Sequence, residues 1–250
     1  MDSMTLGSLI IIAITIVGTS FISGIFGMAG GMILLGVLLV FFDVVVGMVL
    51  FSTIQLAANG WRAVLWWRFV RWPIFWRYVA GAFLAFLAMR AIAFVPDKAL
   101  VYLALGAMPF LIEMLPAAAR PNIEWRGVPF FTGVTTTLVQ LISGVGGQFL
   151  DIFFQKSELD RKTTVATKAV TQTFAHLLRL LYFSSLAGAS ELVPLWAHAP
   201  AIALAILGTS LAPFVLERLT DAGFRQWTRW IILVISGVYL GRGLWLLVQP

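Results

Sequence analysis

The chain has 250 residues, 60% hydrophobic and 11% charged, with ten Trp and twenty Phe, the composition of a polytopic membrane protein with no length left for a sizeable soluble domain. It has no cysteine, which excludes disulfides, thiolate catalysis and cysteine metal sites, and it carries no ATP-binding, metal or phosphate-loop motif, so no cofactor is expected. The net charge of +6 belongs, in a chain this apolar, to loops facing anionic lipid and not to nucleic-acid recognition.

Met1-Asp2-Ser3 lacks a basic n-region, and no small-residue cleavage pattern follows the first apolar run, so that run reads as membrane structure. It extends from Leu6 to Phe42, 37 residues, which as one helix would reach roughly 55 Å against a hydrocarbon core of about 30 Å. Within it, Gly24-Ile25-Phe26-Gly27-Met28-Ala29-Gly30-Gly31 lets the backbone leave helical geometry. Unwound backbone at membrane depth survives only beside protein or a water-filled cavity. The run therefore reads as a hairpin of two half-helices meeting near the midplane.

A span from Val44 to Trp67 follows. It ends in Trp61, Arg62, Trp66, Trp67, Arg68, Arg71, Trp72, Trp76 and Arg77, an aromatic belt with cationic anchors where a helix leaves the bilayer on the cytoplasmic side. An anionic-lipid or partner site is the other reading of that cluster. Spans predicted over residues 74–95 and 98–115 lead to Pro116 and Pro121, which bound a short linker. A second hairpin is predicted over 128–154, then a charged loop from Lys156 to Lys162, then spans over 163–186, 195–216 and 227–248. Glu113 and Glu217 fall near span ends.

The second hairpin echoes the first. Ile142-Ser143-Gly144-Val145-Gly146-Gly147 registers with the earlier glycine stretch at an offset of 117 residues. The same offset pairs Thr15 with Thr132, Thr19 with Thr136, Gly27 with Gly144, Gly30 with Gly147, Asp43 with Asp160, Gln55 with Gln172, Arg62 with Arg179 and Pro96 with Pro213. Matches among polar residues and prolines discriminate, because any two hydrophobic segments agree by composition. The chain divides into an N-terminal repeat, residues 1–117, and a C-terminal repeat, residues 118–250, within a single domain.

Charge counting orients the repeats. If each glycine-broken region crossed the membrane once, the basic loops at 68–77 and 156–162 would lie on opposite sides, against the positive-inside rule. If each is re-entrant, the basic loops at 68–77, 120–126, 156–162 and 218–229 share the cytoplasm. Asp43, Asp97, Lys98 and Glu191 then lie outside with both termini. Each repeat holds one hairpin and three spans, an odd number, so the two have inverted topology. The expected fold is an all-α polytopic membrane protein of two inverted repeats, an architecture that recurs in secondary transporters with the substrate held between the repeats.

Phe21-Ile22-Ser23-Gly24-Ile25-Phe26-Gly27-Met28-Ala29-Gly30-Gly31, its echo from Ser143 to Gly147, and a basic residue in the helix after each hairpin resemble the sulfite exporter TauE/SafE family over nearly the whole chain. The sequence departs from the family's glycine run at Ala29, and Gln148 follows the second motif. The resemblance implies a multi-pass transporter of the bacterial inner membrane for small, mostly sulfur-containing anions such as sulfite, sulfoacetate or related sulfonates. The departures bear on the substrate more than on the class.

The residues give their own reasons to expect an anion. The second arm of each hairpin begins near Gly30-Gly31 and near Gly146-Gly147-Gln148, so free backbone N–H groups and the positive end of a helix dipole would face the cavity from both repeats. After each hairpin, Gln55, Asn59 and Arg62 fall at i, i+4 and i+7, one helical face, as do Gln172, His176 and Arg179. The arginines are expected to attract and gate the anion, and the four polar residues to bind nearer the centre. His176 is the candidate entry point for protons as coupling ion. An oligomer is compatible with all of this.

Blander readings stand beside these. Arg62, five residues from Trp67, would on one of them snorkel to the interface, and Arg179 likewise. His176 would be a hydrogen-bonded packing residue. Asp151 and Lys168 would form a polar seam with Gln148, or only neutralise each other. Two other classes remain as alternatives: an intramembrane serine protease built on Ser143 and His176, and a membrane subunit without transport activity.

Overall fold

A computed structural model of the chain describes residues 5–26, 29–144, 146–187, 193–216 and 221–249. Among these are ten α-helices, two short 3-10 turns and no strand, the all-α fold that the composition demands. Gly27, Met28, Val145, Glu191, Glu217 and Arg218 lie outside the described residues.

The glycine-broken regions fold as α1 (Leu6–Phe26) with α2 (Ala29–Phe41), and as α6 (Val128–Ser143) with α7 (Gly147–Phe154). The facing ends of α1 and α2, and of α6 and α7, fall in the glycine motifs, but the arms are unequal. With 21 residues, α1 is about 31 Å long, so it is long enough to cross the hydrocarbon core alone and is not a half-helix. The 8 residues of α7 reach only about 12 Å.

The remaining helices are α3 (Val44–Leu65), α4 (Trp72–Ile92), α5 (Lys98–Met114), α8 (Arg161–Leu186), α9 (Leu195–Leu216) and α10 (Asp221–Leu247). α10 begins at Asp221 and not at Trp227, so most of the expected basic loop ahead of it is helix. The linker between the halves is pinned. Ile123 N–H donates to the Phe153 carbonyl at 2.8 Å, and Asn122 Nδ2 to the Lys156 carbonyl at 2.9 Å.

Five helices, α1, α3, α4, α9 and α10, contain stretches long and apolar enough to span a membrane. Of these, α3 is central: 72% of its apolar window is buried, against 17% for α10, whose Val234, Val238 and Leu244 are exposed as a lipid-facing surface requires. α8 is not among the five: its first turns are charged, and Gln172, His176 and Arg179 lower the hydropathy of the rest. Its polar face turns into the bundle instead.

The helix partners show an internal exchange symmetry. α3 packs on α8 and α5 on α10, while α1 packs on α9 and α4 on α6; exchanging α1–α5 for α6–α10 maps this set onto itself. α3 and α8 are antiparallel, with Ser52 beside Arg179 and Gly60 beside Thr173. α5 and α10 are antiparallel too, with Gly106 beside Leu240 and Gly243 beside Leu103.

The offset of 117 slips at the hairpin tips. Gly30 lies against the Thr19 carbonyl and Ser23, and Gly146 lies in the same way against the Thr136 carbonyl and Gln140. Gly31 faces Gln55 as Gly147 faces Gln172. By packing, Gly30 therefore corresponds to Gly146 and not to Gly147, and the 117 spacing is recovered by Gln55 and Gln172.

Candidate functional site

Two helices carry the polar faces predicted above, and each begins at an aspartate. Asp160 Oδ1 accepts from the backbone N–H groups of Lys162 at 2.9 Å and Thr163 at 3.1 Å, a side-chain N-cap that starts α8. The Thr163 hydroxyl adds a bond of 2.6 Å to Oδ2. The Thr163 hydroxyl first, and then these backbone donors, hold the Asp160 carboxyl below the usual carboxylate range. Asp43 occupies the same place before α3 without a side-chain cap bond, and pairs with Lys98 at 3.6 Å.

Where α3 and α8 cross, Arg179 is buried completely, 0% exposed. Its Nε donates to Ser52 Oγ on α3 at 2.8 Å, Nη1 donates to the Gly144 carbonyl, and Nη2 donates to His176 Nδ1 at 2.9 Å. The guanidinium carbon lies 4.2 Å from the centroid of the Phe51 ring, a cation–π contact. Each of these partners is neutral. The amide nitrogen of Gln140 is 3.4 Å from the same His176 Nδ1. With N–H donors directed at Nδ1, the imidazole carries its proton on Nε2.

Arg62 stands in the corresponding place of the first repeat. Half-buried, it turns inward to donate from Nη2 to the Ser23 carbonyl at 3.0 Å. Ser23 lies in the last turn of α1, and Gly144 is the C-cap of α6. Each arginine thus meets a carbonyl at the negative end of the first helix in its own hairpin. Neither side chain snorkels in the described structure.

The opposite, positive helix ends lie at the glycines. A Cβ built on Gly31 would come 2.8 Å from the Gln55 amide nitrogen, and one on Gly147 would come 2.5 Å from that of Gln172. Gln148 Nε2 reaches Met32 Sδ, so the first turns of α2 and α7 touch across the repeat boundary. Gln55, Asn59, Gln148, Gln172 and His176 are all buried. Asn59 donates from Nδ2 to the Gln55 carbonyl at 3.0 Å, within its own helix.

The structure thus joins Gly146, His176 and Arg179 through Gln140, and joins Gly30 with Arg62 through Ser23. It does not bring the two arginines to one partner. Sequence reasoning missed Ser52, Phe51 and Gln140. Ser52 lies three residues before Gln55 on the same helical face, so extending that face by one step would have found it. Phe51 gave no signal, since an aromatic in an apolar helix reads as core. Ser143 Oγ donates to the Val139 carbonyl at 2.8 Å. The hydrogen bond that His176 Nδ1 accepts from Arg179 ties that nitrogen to the guanidinium.

Residues 10–240 match the family Sulfite exporter TauE/SafE. The chain belongs to this family. No curated protein and no solved structure matches it. As a TauE/SafE protein it is a multi-pass membrane protein of an anion-exporter family.

Proposed function

We propose that this protein carries a small sulfur-containing anion, sulfite or a sulfonate such as sulfoacetate, across the bacterial inner membrane as a gradient-driven transporter. The anion is held near the midplane between two inverted repeats. The observation that carries this reading is the guanidinium of Arg179, buried among neutral partners. A charge at the centre of a membrane helix costs roughly 2.5–3.5 kcal/mol on insertion scales. Such a cation gains from an anion, and its planar fork of donors fits sulfonate or sulfite oxygens.

The first turns of α2 and α7 and the amide nitrogens of Gln55 and Gln172 supply further donors from both repeats. The antiparallel crossings of α3 with α8 and of α5 with α10 support the inverted arrangement; the placing of both termini outside rests on the positive-inside count. An inside-negative potential drives an anion outward. A coupling proton would enter at His176, where protonating Nδ1 breaks its bond from Arg179. Flux that stays constant between about pH 5 and about pH 8 and survives His176→Asn would remove that step.

The test is the melting temperature of purified protein against sulfite, sulfate, sulfoacetate, taurine, acetate and malonate. A ligand of the native state stabilises it by about 2.7 kcal/mol at a hundred times its Kd. A dose-dependent rise with sulfite or sulfoacetate, lost in Arg179→Gln, is the expected result. No rise with any anion would overturn the reading.

A further inference from the structure

Lys168, Gln172, His176 and Arg179 follow one another at i, i+4, i+8 and i+11 along α8, a single helical face. The short helix α7 lies along its lower part, with Gly147 against Gln172 and Asp151 against Lys168. The Asp151–Lys168 ion pair therefore lies on the face that holds Arg179, one turn beyond Gln172 and about three turns from Arg179, toward the charged loop at 156–162.

This pair differs from the other one in the described structure. The Lys168 and Asp151 side chains are 22% and 15% exposed, whereas Lys98 and Asp43 are 34% and 88% exposed. Asp151 Oδ1 is buried and receives no hydrogen bond beyond the ion pair. The first repeat puts apolar residues in these places. Phe51 stands 117 residues before Lys168, and Leu34 or Leu35 stands opposite Asp151, depending on the slip at the tips. All three are buried. Hydrophobic side chains thus satisfy packing at the equivalent places of the first repeat, and for a partly buried ion pair the cost of desolvation offsets much of the attraction. The charges need another reason.

We infer that Lys168 is a second anion-binding position on the path to Arg179, and that Asp151 is a tethered carboxylate which occupies it until a substrate anion takes its place. This rests on the anion-transport reading above. A carboxylate, a sulfonate and sulfite are all oxyanions that an ammonium accepts. Lysine suits exchange between them, because it is a point charge on a flexible stem and not a fork fixed to one geometry. The tether keeps Asp151 at high effective concentration, so an arriving anion must compete with it. The exchange keeps the Lys168 ammonium paired while the anion passes between the loop end of α8 and Arg179.

The experiment measures binding of methanesulfonate to the purified full-length protein. Asp151→Asn removes the competitor and is expected to bind about tenfold more tightly than wild type. Lys168→Gln binds more weakly, and adding Asp151→Asn to Lys168→Gln brings no gain. Equal affinity in wild type and Asp151→Asn, or a gain that persists without Lys168, overturns the inference. Should Asp151→Asn fail to fold, infrared difference spectra of the wild type decide. Methanesulfonate must shift a carboxylate stretch that the neutral Asp151→Asn/Lys168→Gln protein lacks, and an unshifted stretch overturns the inference. Binding that is unchanged in Lys168→Gln but lost in Arg179→Gln removes this position alone. No binding in the wild type removes the anion reading and this position with it.

Discussion

The Ser52 hydroxyl on α3 accepts from Arg179 Nε on α8 at 2.8 Å and itself donates to the Met48 carbonyl at 2.5 Å. One oxygen thereby ties the buried guanidinium of the second half to the backbone of the first. Ser52→Ala leaves a buried charged donor without that acceptor, a loss of about 1–3 kcal/mol. The expected outcome in thermal melts is a lower melting temperature and a weaker response to anions, with Ser52→Thr close to wild type. Ser52→Ala indistinguishable from wild type in both respects would contradict the site as described.

His176 accepts at Nδ1 from Arg179 Nη2, which fixes the ring as the Nε2–H tautomer. Nitrogen NMR of selectively labelled protein at neutral pH is expected to show the proton on Nε2. In Arg179→Gln the preference should weaken, because the charged donor is gone. A proton on Nδ1 in the wild type would contradict the arrangement.

Close helix approach makes a contrast between two glycines. A Cβ on Gly30 would overlap the Thr19 carbonyl, which is backbone and has no rotamer to change. Gly30→Ala is expected to cost about 1–3 kcal/mol, as overpacking does. Gly237 in α10 has nothing within 4 Å of such a Cβ. Gly237→Ala is expected to be neutral or to stabilise by up to about 1 kcal/mol. Melting temperatures of the two variants check the ordering, and equal effects would contradict it.

The helices and the breaks between them were legible in the sequence because apolar length and glycine are local signals. So was the inward face of α8, since Gln172, His176 and Arg179 repeat at helical spacing in an otherwise apolar stretch. The one-residue slip that matches Gly30 to Gly146 was hidden, because a gapless register also aligned glycine with glycine and nothing local marked the difference. The reach of Arg179 to Ser52 and Phe51 was hidden for another reason. It depends on which helices cross, and the periodicity of one helix says only which face turns inward, not what meets it. The length of α1 escaped because Gly18 and Gly24 sit inside a continuous helix that runs to Phe26.

The two helix caps separate by pH. The Asp160 carboxyl lies below the usual carboxylate range when folded, through its bonds from Thr163 and the Lys162 backbone. Its stabilisation is therefore complete above the unfolded carboxylate pKa and is lost as pH falls through the folded one. Asp160→Ala should lower the melting temperature at neutral pH, and the difference from wild type should shrink on acidification. Asp43, without a side-chain cap bond, should show a smaller effect in Asp43→Ala. A difference between wild type and Asp160→Ala that grows as pH falls would contradict this assignment.

The most direct measurement is sulfite and sulfoacetate flux into proteoliposomes under an imposed membrane potential, for wild type and Arg179→Gln reconstituted at equal levels. Saturable flux in the direction the potential drives an anion, absent from Arg179→Gln while that protein remains folded, is the predicted result. Folded wild-type protein that moves no anion, or undiminished flux in Arg179→Gln, would contradict the account.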